Sequence, residues 1–142
     1  MTAIVSTNYL SELLEDAHSR TLELLEGLYD DQLMGPKLPT VNPLLWEIGH
    51  VAWFSEQFVL RKLHNFEAIR PELDQIYDSI AIEHSTRWDL PLLNLVDCLA
   101  YIEEVKNKLC DRLTSVNATE ADSFMYQFAT FHQDMHLSLI HI

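Results

Sequence analysis

Three glycines, five prolines and two cysteines in 142 residues exclude several kinds of protein at once. With so few glycines there is no Gly-rich loop to cradle a phosphate. Two cysteines do not make a disulfide scaffold, and Cys98 and Cys110 fall on one helical stretch. At ~1.5 Å rise per residue they stand roughly 18 Å apart, beyond the reach of a bond within the chain. We read them as small core or surface thiols of a reducing compartment. Basic residues are also scarce: nine Lys and Arg face 22 Asp and Glu, for a net charge of -13. That balance argues against nucleic acid and against an anionic membrane surface, both of which need clustered positive charge. No segment approaches the roughly 20 apolar residues of a membrane span. The opening MTAIVSTNYL lacks the basic and apolar regions of a signal peptide. A cytoplasmic location is the resulting expectation. Strand-like alternation, internal repeats and low-complexity tracts are missing too.

What is present is apolar periodicity. Residues of the hydrophobic class make up 48% of the chain, which suits one globular domain spanning 1–142. Leu10, Leu13, Leu14, Ala17, Thr21, Leu24, Leu25 and Leu28 recur at three- and four-residue spacing, predicting a helix from about Thr7 to Tyr29 with Ser6 or Thr7 as its cap. The segment DDQLMGPKLPTV, broken by Gly35, Pro36 and Pro39, reads as a connection. Asn42 and Pro43 then suit the cap and first position of a second helix that reaches about Leu63. Residues 64–91 form a long link, of the kind that lets the flanking helices of a bundle run parallel. A third helix is expected from near Asp89 to Ser115 or Asn117. A fourth opens at Thr119 and Asp122, which resemble a capping box, and carries Met125, Phe128, Ala129, His132, His136 and Leu139 on one apolar face. Four amphipathic helices of about 20 residues each define an all-α fold, a four-helix bundle with a long connection between helices 2 and 3.

Seven histidines are present, and three of them group. His132 and His136 are one helical turn apart and so stack on one face, where two imidazoles can share an ion. His50 lies mid-helix among Trp46, Trp53 and Phe54, on a face expected to point inward. A buried ring without a partner costs about 1–3 kcal/mol, so a shared metal site is one way to satisfy all three. Hydrogen-bonded core histidines in a non-catalytic bundle are the other. His18, His64, His84 and His141 fall at a stripe edge, a helix end, the link and the terminus, and Asp134 reads as a surface or ligand-supporting carboxylate. Three neutral imidazoles suit zinc or iron alike. Zinc would activate water; iron(II) would leave positions for a thiolate and dioxygen. No Ser-His-Asp or Cys-His pairing is visible, so catalytic residues are not assigned.

The stretch NPLLWEIGHVAWFSEQFVLR resembles the second-helix motif of ergothioneine-synthase-type enzymes, in which Trp precedes the ligand His by four residues and Trp-Phe follows it. FHQDMH resembles their fourth-helix motif, and DSIAIEHSTRWDLPL their linker, particularly in the branch that makes selenoneine. The resemblance runs from about Thr21 to His136. It implies a DinB-like bundle with non-haem iron(II) on His50, His132 and His136, and a place for Arg87 in holding substrate carboxylates. It implies small-molecule substrates: a trimethylated histidine whose imidazole gains a carbon–sulfur bond from a thiol, or a carbon–selenium bond from a selenosugar. Members of that family usually carry a C-terminal domain like that of formylglycine-generating enzymes, which closes the site and supplies a tyrosine. This sequence does not contain that domain, so we expect a truncated chain, and its ending LSLIHI resembles a translated adaptor remnant. The alternative is a stand-alone DinB-like thiol transferase or hydrolase using zinc or nickel.

Overall fold

Helix α1 (Thr7–Leu25) begins where the Ser6 hydroxyl accepts the Tyr9 N–H, and it buries Leu10, Leu14, Ala17, Thr21 and Leu25. The computed structural model describes residues 4–114 and 117–141, with the side chain of His141 left aside. Part of the expected connection is helical: α2 (Asp30–Met34) is opened by the Gln32 side chain accepting the Tyr29 N–H and closed by Gly35 at φ 63°. A positive φ at that position favours glycine because it lacks a Cβ.

Helix α3 (Leu44–Ser55) continues directly into a π-helical stretch, Glu56–Leu63. Its cap is Pro43 and not Asn42, whose side chain bonds Glu47 and Arg87 instead. The link after it contains two short 3-10 turns, Pro71–Gln75 and His84–Thr86. Helix α4 (Leu95–Thr114) starts later than the expected position near Asp89, at the point where Asn94 Oδ1 accepts the Asp97 N–H. The expected stop at Ser115 lies outside the described residues. Helix α5 (Glu120–His141) opens with the capping box read from the sequence: Thr119 Oγ1 accepts the Asp122 N–H, and Asp122 Oδ2 accepts the Thr119 N–H.

Helix directions follow from which residues meet. Val5 bonds Ser123 and Gln133 bonds Ala17, so α1 and α5 run parallel. Lys106 pairs with Glu15, and Leu22 shares a groove with Leu95, so α4 runs against α1. His136 meets Glu47 while Tyr126 meets His64, so α5 runs against α3. It follows that α3 and α4 are parallel, which is what the long connection allows. Each of α1 and α3 packs on both α4 and α5, making the expected all-α four-helix bundle.

That connection is bonded to the rest of the molecule. Trp46 Nε1 donates to the Ile76 carbonyl at 2.8 Å, and Trp53 Nε1 to Asp74 Oδ1 at 2.7 Å. Arg61 grips Asp74 with both terminal nitrogens. Glu56, only 1% exposed, accepts the Ile69 N–H and the Tyr101 hydroxyl. These bonds satisfy the polar groups that burying a loop would otherwise strand.

One face was read differently from the sequence. Phe128 and Leu139 are exposed and Met125 is half-buried, whereas Ala129 faces the core as expected and Tyr126, Thr130 and Leu137 join it there. The inward stripe of α5 is rotated from the expected one, so His132 and His136 sit at the flank of the bundle between core and surface.

Candidate metal centre

Helix α3 carries an unbroken buried run from Leu45 to Trp53, and two polar side chains lie within it, Glu47 and His50. His50 is 2% exposed. Its Nδ1 lies 2.7 Å from the Tyr77 carbonyl. A carbonyl only accepts, so Nδ1 carries the proton and Nε2 keeps its lone pair. The ring is held on one side by Trp46, stacked at 4.8 Å and 7°. The Arg87 guanidinium covers the Trp46 ring at 4.0 Å. Gly49 makes the Tyr77 contact reachable: a Cβ there would stand 2.3 Å from Tyr77 Cε1. The Tyr77 hydroxyl in turn accepts the Leu93 N–H.

Helix α5 presents the other two rings one turn apart, with their Nε2 atoms 3.2 Å from each other. Phe54 stacks on His132 at 3.7 Å and 12°. The His136 Nδ1 donates to Glu47 Oε2 in a short contact, and Asn42 Nδ2 donates to the other carboxylate oxygen at 2.7 Å. His50 lies with its centroid 5.1 Å from that of His132 and 4.7 Å from that of His136. One ligand atom from each of the three falls within 4.8 Å of the others. The three histidines singled out in the sequence therefore come together, two helices contributing to one cluster.

The electrostatics favour the neutral form of two of the rings, His50 and His132. Burial pushes His50 down to about 4, against the partial support of the Tyr77 carbonyl. Burial, and then the neighbouring His136 and His50, push His132 down to about 3. Burial raises the Glu47 carboxyl, but the His136 and Asn42 hydrogen bonds outweigh it and hold it below the ordinary value. Neutral imidazole is the form that ligates a metal.

Whether this set fits an ion can be tested on distances. Two nitrogens each about 2.1 Å from one ion lie about 3.0–3.4 Å apart for bond angles from a right angle to tetrahedral. The His132–His136 pair matches at 3.2 Å. The widest separation, 4.8 Å, exceeds that range, so the rings must close by more than 1 Å for all three to hold one ion. His132 Nδ1 is buried without a partner, so its ring is held by Phe54 and by its contact with His136. The donor set is all nitrogen, with a carbonyl and a carboxylate behind two of the rings, and it fits a divalent transition metal.

Of the other residues named from the sequence, Arg87 stands beside the cluster, over the Trp46 ring, and Asp134 and His64 lie away from it. Arg87, expected to meet substrate, is 8% exposed, with Nη1 on Asn42 and Nη2 on the Ser79 and Ile82 carbonyls. Asp134 pairs with Arg20. His64 is at a helix end as expected, but its side chain is buried against Tyr126 and Asp122. Glu47 was not singled out, although a lone carboxylate inside LLWEIGHVAWF is a signal the sequence carries. Asn42 and the Tyr77 carbonyl gave no such signal.

A bundle of this topology with a three-histidine cluster between its second and fourth long helices is of the DinB type. The sequence profile of the DinB superfamily matches residues 13–140, and the chain belongs to that superfamily. It is also similar to curated proteins named hercynine oxygenase. The relative from Mycolicibacterium smegmatis is 29% identical over 136 residues, covering 94% of this chain and 31% of that protein. The one from Mycolicibacterium thermoresistibile is 28% identical over 130 residues, covering 89% and 28%. The one from Mycobacterium tuberculosis is 26% identical over 136 residues. The chain spans about a third of the length of these relatives. Among the described residues no helix is long and apolar enough to cross a membrane.

Proposed function

We propose that this chain is the metal-binding domain of an iron(II)- and oxygen-dependent enzyme that acts on a trimethylated histidine and joins sulfur or selenium to its imidazole ring. The observation that carries this reading is the convergence of His50, His132 and His136, in a chain similar along most of its length to hercynine oxygenases. When bound, iron(II) supplies the redox chemistry with dioxygen on which such a bond depends. The chain's own residues do the rest of the local work. The Tyr77 carbonyl and Glu47 hold protons at Nδ1 of His50 and His136, so in the neutral rings Nε2 is the atom that would ligate a metal. Phe54 and Trp46 wall the rings and keep water from competing for them. Arg87 already serves Asn42 and two carbonyls, so binding a substrate carboxylate would require those bonds to be exchanged. We assign it to holding the connection against α3.

The same donors accept zinc or nickel, which keeps a DinB-like transferase or hydrolase as the second reading. Elemental analysis of protein purified without chelators tests both. Stoichiometric metal is expected in the wild type and in His64→Ala, and none in His132→Ala. Full occupancy in His132→Ala would sink the site. Iron with thiol- and oxygen-dependent spectral changes selects the oxygenase; zinc or nickel without them selects the second reading.

A further inference from the structure

The buried carboxylate of Glu47 lies at the centre of a chain of bonds that starts in the long connection and ends on a candidate ligand. Arg87 Nη1 donates to Asn42 Oδ1 at 2.9 Å, Asn42 Nδ2 donates to Glu47 Oε1 at 2.7 Å, and Glu47 Oε2 accepts the His136 Nδ1 proton. Each partner has a direction that cannot be reversed. A guanidinium only donates, so Asn42 must turn its oxygen to Arg87 and its amide nitrogen to Glu47. An ionised carboxylate only accepts, so it takes one N–H on each oxygen. The order of donors therefore propagates from Arg87 to the imidazole and fixes a proton on His136 Nδ1, so that Nε2 is the nitrogen the neutral ring offers to a metal.

We propose that Glu47 is the positioning residue of the metal centre, fixing the tautomer and ring orientation of His136, and that Asn42 and Arg87 set Glu47 in turn. This rests on the metal-binding reading above. The fold supplies a reason for a carboxylate here: Glu47 is 4% exposed, and a buried acid with no partner would be costly. His132, by contrast, has no hydrogen-bond partner at Nδ1 and is held by the Phe54 stack, so the hydrogen bond that orients the α5 pair is the one on His136. Partners of this kind typically change metal affinity 10- to 100-fold when removed.

Zinc affinity by chelator competition, paired with nitrogen-15 NMR of the histidine rings in metal-free protein at mildly alkaline pH, tests the proposal. Glu47→Ala is expected to weaken zinc binding by about 10- to 100-fold and to move His136 from the Nδ1–H tautomer toward Nε2–H. Glu47→Gln keeps the shape but offers one acceptor oxygen to two N–H groups, so it is expected to weaken binding and shift the tautomer too. Asn42→Ala should do the same to a smaller degree and carries the test should Glu47→Ala fail to fold. Loss of zinc in His132→Ala together with unchanged affinity, or an unchanged His136 tautomer, in the folded Glu47 variants overturns the positioning role alone. A wild type that binds zinc no better than His132→Ala overturns the metal reading and this one together.

Discussion

The two sides of this bundle solve burial in different ways. Between α1 and α4 the interior is made of Leu10, Leu14, Val105, Leu109 and Leu113, residues that need only shape to be satisfied. Around α3, where it meets α5 and the long connection, the chain buries His50, Glu47 and Arg87, and each is met there by a named partner. The first arrangement tolerates changes of residue as long as volume is kept. The second does not, because deleting one partner strands another. The difference separates a region that stabilises the fold from one that holds chemistry at some cost to it.

Substitutions can break this comparison. The largest expected effect is the loss of metal in His132→Ala, with the fold retained, since that ring is only half-buried and has no partner at Nδ1. Leu113→Ala reports on the other side: Leu113 is 1% exposed, and truncating a leucine there should cost about 2–5 kcal/mol in denaturant unfolding. Its metal stoichiometry should not change, and a loss of metal would show that the two sides are coupled. Gly49→Ala is the intermediate case. Its Cβ would overlap the Tyr77 ring, which should cost about 1–3 kcal/mol. It should also weaken metal binding, because displacing Tyr77 removes the carbonyl that orients His50.

Acid gives the gentlest probe. His50 has its folded value pushed down to about 4 from 6.5, and His132 is lowered further. Between those values the unfolded chain binds more protons than the folded one, so stability falls as pH falls. Each ring contributes at most about 1.4 kcal/mol per pH unit. The metal-free protein should therefore lose stability from pH 6.5 towards 4, and His50→Ala should flatten that slope. Depression of Glu47 adds to the loss in the same direction, because its ionised form is the bonded one. A metal-free protein equally stable across that window would mean the rings are not buried neutral.

Much of the site was legible because its spacing is local. His132 and His136 share a face by the helical repeat alone, and Thr119 with Asp122 announces the start of α5. Two local readings failed for instructive reasons. Asn42 has the chemistry of a cap, yet its side chain is taken by Glu47 and Arg87 across the fold. Phe128 and Leu139 have the spacing of a core stripe, yet α5 turns Tyr126 and Leu137 inward and leaves Phe128 and Leu139 exposed. Apolar spacing fixes only the helix, and where two stripes compete the packed neighbours choose between them.

From the sequence alone follow the all-α class, the long helices and the shared face of His132 and His136, because each depends on residues within a few turns of one another, whereas His50 meets that pair only through packing. Only the tertiary structure decided that His50 and His136 each hold a proton on Nδ1. Glu47 reaches His136 across 89 residues of chain and the Tyr77 carbonyl reaches His50 across 27. A backbone oxygen has no residue type to read, and a hydrogen bond between distant segments exists only once packing has brought donor and acceptor together.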